Sequence, residues 1–365
     1  MNKIITAGHI CLDITPVFSG NRTYTGISEL LKPGKLIHME AADVHTGGSV
    51  ANTGLALKKL GANVTLMGKT GDDAFGKMIR QILAQYGVDG LVVDADSSTS
   101  YSVVLAIPGT DRVFLHNPGA NDTFSGRDVR DEELEDAVLF HFGYPPLMKK
   151  MYEDQGEELR NLFRRVKEKG IATSLDLAAI DPDSDAGKAD WSLILERVLP
   201  FVDFFLPSFE ELCFMLNRER YDQLRESGED MAEVLDMEKD VRPLADQLIR
   251  MGCKVVLIKC GTSGMYFQTG GRDAIRQIGE RLGLDIRLWT EKHGIQPIFQ
   301  ADQVLSGTGA GDTSIAAFLT AVLQGEEPEM CVALAAAEGA CCVTAYDALS
   351  GLKPLEELKA WIKTG

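Results

Sequence analysis

Apolar runs of strand length alternate with segments of helical period along most of the chain. Residues 4–7, 64–67, 138–142, 173–175, 202–206 and 255–258 each read as a strand. Between them, Phe75, Met78, Ile79, Ile82 and Leu83 recur at i, i+3, i+4, as do Leu159, Leu162, Phe163 and Val166, and both sets predict helices. Val50, Leu57 and Leu60 mark a helix that begins just after Gly47-Gly48. Ile315, Phe318, Leu319, Val322 and Leu323 give the clearest amphipathic helix, over 313–324. An alanine-rich helix over 330–344 and a last one over 355–362 complete the series. Such alternation predicts an α/β fold, a mostly parallel sheet with helices on both faces. Ligands of such sheets bind beyond the carboxyl ends of the strands.

Two regions break the alternation. Residues 15–46 and 99–117 are rich in β-branched and polar residues without helical period. Within them, 101–107 and 112–116, joined by Pro108-Gly109-Thr110-Asp111, read as a hairpin. A small sheet lying over the strand ends as a lid is the expectation. Residues 217–242 form a charged tract of weak period, read as a solvated surface insertion.

The 365 residues suit one large α/β domain or two modest ones. A net charge of -17 argues against a nucleic-acid partner, which requires a basic footprint. It still permits an anionic small ligand held by backbone amides. No stretch approaches the roughly 20 apolar residues of a membrane span, so no membrane partner is expected. The N-terminal segment reads as a first strand, not a signal peptide. The seven cysteines are scattered and none falls in a Cys-x-x-Cys pair, as for reduced thiols in a cytoplasmic protein. The six histidines show no spacing for a zinc site.

Candidate chemistry sits at the glycine clusters. Gly307-Thr308-Gly309-Ala310-Gly311-Asp312 directly precedes the amphipathic helix, where free N–H groups and the positive dipole end make an anion hole. Asp312 there is either a functional carboxylate or a helix N-cap. Gly47-Gly48-Ser49-Val50-Ala51-Asn52 opens another helix, with Asn52 either offered to a hydroxylated ligand or lying at the surface of a tight turn. Lys259-Cys260-Gly261-Thr262-Ser263-Gly264 follows a strand, and Pro118-Gly119-Ala120-Asn121 closes the lid hairpin; both also read as plain turns. Asp13 lies just past the first strand. No Gly-x-x-x-x-Gly-Lys-Ser/Thr or Gly-x-Ser-x-Gly string occurs. A dinucleotide fingerprint fits poorly, because the third glycine comes one position early and Glu327 lies in a link between helices.

In this order the motifs resemble the ribokinase-like (PfkB) family of carbohydrate kinases over nearly the whole chain. Gly47-Gly48 with Asn52, the run Gly68-Lys69-Thr70-Gly71-Asp72-Asp73-Ala74-Phe75-Gly76, and Gly309-Ala310-Gly311-Asp312 carry the resemblance. It implies a three-layer α/β/α domain spanning 1–365 with a small β-sheet lid. The implied activity is transfer of the ATP γ-phosphoryl group to a sugar hydroxyl, with ATP and Mg²⁺ as cofactors. On that resemblance Asp312 is the base, and the amides of Gly309, Ala310 and Gly311 form the anion hole. Asp13, Gly47, Gly48, Asn52 and Asn121 hold the substrate. Ser208, Lys259, Gly261, Gly264, Gly307 and Thr308 border the nucleotide, and Glu211 supports the metal through water. The chain departs from the family at Ser306-Gly307, where relatives carry Asp-Thr and the Asp helps bind a monovalent cation, so K⁺ activation stays open. It departs again at Ser208, which replaces an Asn. A nucleoside acceptor stacked on Tyr24, Tyr101 or Phe114, a sugar phosphate met by Arg112, and a non-catalytic nucleotide- or sugar-binding protein are the alternatives to a non-phosphorylated sugar. A homodimer through the lid is expected.

Overall fold

The computed structural model describes residues 2–18, 30–108 and 113–364. Its strands, in chain order, are β1 (Lys3–Gly8), β2 (Cys11–Thr15), β3 (Asp43–Gly47), β4 (Asn63–Met67), β5 (Lys69–Gly71), β6 (Val92–Asp94), β7 (Tyr101–Leu105), β8 (Val113–Asn117), β9 (Ala137–Gly143), β10 (Ala172–Asp176), β11 (Phe204–Phe205), β12 (Val255–Lys259), β13 (Met265–Thr269) and β14 (His293–Gln296). Among the described residues the main sheet has the order β14-β13-β12-β11-β10-β9-β1-β4. From β4 to β12 neighbours are parallel, and β13 and β14 are added antiparallel at one edge. β1, β9 and β10 are buried almost throughout because helices cover both faces.

Successive residues alternate between two cores. Ile5, Phe140, Phe205, Val256 and Ile258 face the helices Glu157–Glu168, Trp191–Val198, Phe209–Leu216 and Arg242–Arg250. Ile4, Leu139, Phe204, Val255 and Leu257 face Ser49–Lys59, Ala310–Leu323, Pro328–Cys342 and Leu355–Thr364. Each buried side chain of this size contributes about 1.5–3 kcal/mol against exposure. The alanine-rich helix packs closely on its neighbour: a Cβ at Gly339 would stand 2.6 Å from Ser314 Oγ.

The second sheet has the order β3-β2-β7-β8 and lies over the strand ends as a lid. Its β2–β7 pair is parallel and its outer pairs antiparallel. Leu12, Ile14, Val44 and Tyr101 anchor one lid face on Ile79 and Leu83 of the helix Ala74–Gln85. Asp73 caps that helix, accepting from the Gly76 N–H at 2.8 Å.

Some expectations need correction. The strand expected over 202–206 is assigned only at Phe204–Phe205, pinched between Pro200 and Pro207, and Pro207 has no N–H to extend the ladder. The helix expected from 313 starts at Ala310. The lid strands stand at the ends of the 15–46 segment, and Asp13, past the first strand as expected, lies inside β2 rather than in a loop. The hairpin turn with Arg112, and Tyr24, lie outside the described residues. The 217–242 tract is not a solvated insertion: Tyr221, Leu224 and Val241 are buried in the main core, with Met231, Val234, Leu235 and Met237 packed against it. Among the described residues no helix is long and apolar enough to cross a membrane.

Candidate active site

A cleft of about 750 Å³ opens between the lid and the carboxyl ends of the parallel strands. His9 follows β1, Tyr144 follows β9, Asp176 ends β10, Ser208 lies just beyond β11 and Lys259 ends β12; all line it. The lid adds Cys11, Asp13, Ser102, Phe114 and His116, and two helix starts add Gly48, Asn52, Gly307, Thr308, Gly309, Gly311 and Asp312.

The helix Ala310–Leu323 begins at Gly309, whose φ of 76° is left-handed and therefore suits glycine. A Cβ there would also stand 2.3 Å from the Ala348 Cβ. The first i→i−4 bond of the helix runs from the Thr313 N–H to the Gly309 carbonyl, so the amides before it face the cleft end of the dipole. The Ser306 hydroxyl accepts from the Thr308 N–H at 3.1 Å and shapes the entering loop.

Asp312 is not the N-cap, since Gly309 occupies that position. Its buried carboxylate accepts from Asn52 Nδ2 at 3.0 Å and the Tyr144 hydroxyl at 2.7 Å on Oδ2, and from the Thr53 hydroxyl at 3.1 Å on Oδ1. Tyr144 is itself left-handed, at φ 66°. Burial, with Asp312 and Asp176 nearby, pushes its phenol well up, so it acts as a donor.

Lys259 Nζ lies 2.9 Å from Asp176. Burial opposes charge on the ammonium, but Asp176, Glu211 and Asp312 outweigh it and hold its pKa above the ordinary range. Burial, with Glu211 and Asp312 nearby, pushes the Asp176 carboxyl up, while Lys259 at 2.9 Å pulls it back. A Cβ at Gly311 would be 3.5 Å from Lys259 Nζ, so the ammonium stands beside the glycine-capped helix start. The start of this helix and the Lys259 ammonium thus stand side by side at the cleft, an arrangement suited to an anionic group.

Ser208 and Glu211 cap the helix Phe209–Leu216 reciprocally. The Ser208 hydroxyl accepts from the Glu211 N–H at 3.2 Å, and Glu211 Oε2 accepts from the Ser208 N–H at 2.7 Å. Both line the cleft. Among the described residues no group of three His, Cys, Asp or Glu side chains could hold a metal. Glu211, anchored in that cap and lining the cleft, would stand behind a Mg²⁺ ion carried mainly by phosphate and water.

Other residues singled out from the sequence stand elsewhere. Gly47 backs Asp13, since a Cβ there would meet its carboxylate at 2.1 Å. Asn121 is fully buried, donating to the Ile10 carbonyl at 2.9 Å and accepting from the Ile10 N–H at 3.1 Å, so it fastens the start of β2 and does not line the cleft. Gly264, at φ 93°, packs against the Gln296 carbonyl in the β12–β13 turn, away from the cleft, while Gly261 lines it. Ala310 lies in the helix behind the wall. Tyr101 packs edge-on against Phe75 on the far lid face, so only Phe114 of the described aromatic candidates reaches the cleft.

Sequence reasoning missed Thr53, Tyr144, Asp176, His9, Ser102 and His116. An acidic residue at a strand's carboxyl end was a usable signal for Asp176. Nothing in the surrounding residues distinguishes His9 or Tyr144.

A parallel sheet with helices on both faces, a β-sheet lid and a cleft between them define the ribokinase-like three-layer architecture. The chain belongs to the pfkB family of carbohydrate kinases, whose family model matches residues 11–354. It is therefore a phosphotransferase with an alcohol group as acceptor. An uncharacterized sugar kinase of Archaeoglobus fulgidus is 24% identical over 299 residues, 82% of this chain and 98% of that one. A ribokinase of Arabidopsis thaliana is 25% identical over 338 residues, 90% of this chain and 75% of that one. The structure of Arabidopsis thaliana ribokinase complexed with ribose and ATP is similar in fold, with a TM-score of 0.71 at 22% identity, covering 99% of both chains.

Proposed function

We propose that this chain transfers the γ-phosphoryl group of ATP to a sugar hydroxyl, with Asp312 as base. The observation that carries the reading is the convergence at Asp312: a buried carboxylate in the first turn of a glycine-capped helix, with Lys259 beside the same turn. As the acceptor oxygen bonds to the γ-phosphorus, its proton passes to Asp312. The bond from the γ-phosphorus to the bridging oxygen breaks, and ADP leaves. Asn52, Thr53 and Tyr144 hold the carboxylate in place. The Gly309–Gly311 turn and Lys259 stabilise charge on the transferring group, so positioning and electrostatics supply most of the catalysis. Mg²⁺, when bound, neutralises phosphate charge. The lid excludes water as a competing acceptor.

ADP release with Mg·ATP over a panel of sugars and nucleosides, run beside Asp312→Asn, tests the reading. Turnover on a sugar that disappears in the variant supports it. ATP binding with no turnover on any acceptor would favour a non-catalytic binding protein.

A further inference from the structure

The underside of the lid carries a polar row that the motifs did not reveal. Asp13 on β2 pairs in register with Ser102 on β7, and Ser102 with His116 on β8. Residues in register share a face, so these side chains point together into the cleft. His116 Nδ1 lies 3.0 Å from the Ser102 hydroxyl, and its Nε2 is buried without a partner. His9 stands next to it with ring centroids 5.2 Å apart, and 6.0 Å from Tyr144. His9 is 1% exposed, and neither of its ring nitrogens has a partner. Its place is made by Gly48, where a Cβ would stand 2.5 Å from His9 Nδ1. Buried polar atoms left unpaired weaken a fold, so their persistence in a cleft wall points to a ligand that pairs them.

We propose that His9 and His116 are the specificity-determining residues of the acceptor site, reading hydroxyls of an uncharged, non-phosphorylated sugar. The assignment rests on the kinase reading above. Burial keeps both imidazoles neutral, so His9 offers one donor and one acceptor and His116, engaged at Nδ1 by Ser102, offers Nε2, groups that a hydroxyl matches. Asp13 in the same row repels an anionic acceptor. Among the described lining residues the one lysine or arginine is Lys259, which Asp176 engages at the far side.

The test is steady-state ADP release by the full chain with free sugars and their phosphate esters. His9→Leu and His116→Phe remove the polar atoms at similar bulk, and His9→Asn and His116→Gln retain some. The expected result is a rise of at least about tenfold in sugar KM for the apolar variants, with ATP KM unchanged and part of the loss recovered in the amide variants. Melting temperatures of the apolar variants should hold or rise, because unpaired polar atoms have gone. Wild-type protein should prefer the free sugar over its ester. A sugar KM unchanged in folded variants, a lowered melting temperature with unchanged KM, or a preference for the ester would overturn the assignment. No ADP release by wild-type protein from any acceptor would instead overturn the kinase reading, and this one with it.

Discussion

Asp312→Asn separates chemistry from architecture at this site. The groups facing Oδ2, Asn52 Nδ2 and the Tyr144 hydroxyl, are both donors, so in the variant the amide oxygen takes that position. The amide nitrogen then faces Thr53, whose hydroxyl turns from donor to acceptor. The contacts survive but lose their charge assistance, each falling from about 1.5–3 to about 0.5–1.5 kcal/mol. Relief of repulsion with Asp176 and Asp13 offsets part of this. The three contacts together lose about 3–4.5 kcal/mol before that offset, so the fold should lose about 2–4 kcal/mol, several degrees of melting temperature for a chain of this size. Chemistry should suffer far more, because an amide cannot take the acceptor proton. General-base removal costs about 10²–10⁴ in rate, or about 2.7–5.4 kcal/mol of barrier. The assay is ADP release at saturating ATP and sugar, with a thermal melt and an ATP-binding isotherm on the same preparation. A kcat within tenfold of wild type in a folded, ATP-binding variant would refute Asp312 as the base.

Other consequences can be checked with single substitutions. Glu211→Gln retains an oxygen for the Ser208 N–H, so stability should hold while the half-saturating Mg²⁺ concentration for ADP release rises several-fold; an unchanged Mg²⁺ titration would leave Glu211 a helix cap alone. Gly309→Ala puts a side chain at φ 76° against Ala348, with about 1–2 kcal/mol of left-handed strain before any clash, and should lower kcat at least tenfold; wild-type kcat would show that the turn does not need its observed shape. Glu338, buried in the alanine-rich helix, is raised by that burial from 4.5 to about 7. Its folded form therefore holds a proton that the unfolded chain releases, a contribution complete below pH 4.5 and lost as the pH rises through 7, on the order of 3 kcal/mol. Glu338→Gln should match wild type in melting temperature at pH 5 and exceed it at about pH 8; parallel pH profiles would exclude the effect.

The sheet and its flanking helices were legible because strands covered on both faces are continuous apolar runs, and the 3.6-residue period survives in one-sided helices. The lid was legible only in outline. Its strands are short, and β2 continues from the first strand after a two-residue break, so Asp13 reads equally as a loop residue. The 217–242 tract misled because its charged positions outnumber the few apolar residues that reach the core. At the site, the glycine turns announced themselves through backbone demands that only glycine meets. The side chains gathered around them did not. Tyr144, Asp176 and Lys259 come from strand ends that adjoin only in the folded sheet. Asn52 was found, but its partner Asp312 lies 260 positions away, so the bond between them was not.

The charge of the cleft bears on how a nucleotide enters it. Its walls carry Asp13, Asp122, Asp176, Asp181, Glu211 and Asp312, against Lys259 as the one lysine or arginine among the described lining residues. The chain as a whole stands at -17. Side-chain charge therefore disfavours a polyphosphate, and on the proposed chemistry attraction must come from elsewhere. The Gly309–Gly311 turn supplies part, as a helix start worth about half a positive charge at short range. Lys259 supplies more, and Asp176 beside it fixes where that charge sits at the expense of part of its field. On that chemistry the remainder would fall to the divalent metal that accompanies the nucleotide, with Glu211, anchored in its helix cap, the carboxylate placed to support it. On the proposed chemistry the acidic wall would repel free polyphosphate more than its metal complex and so favour the form of the nucleotide that reacts.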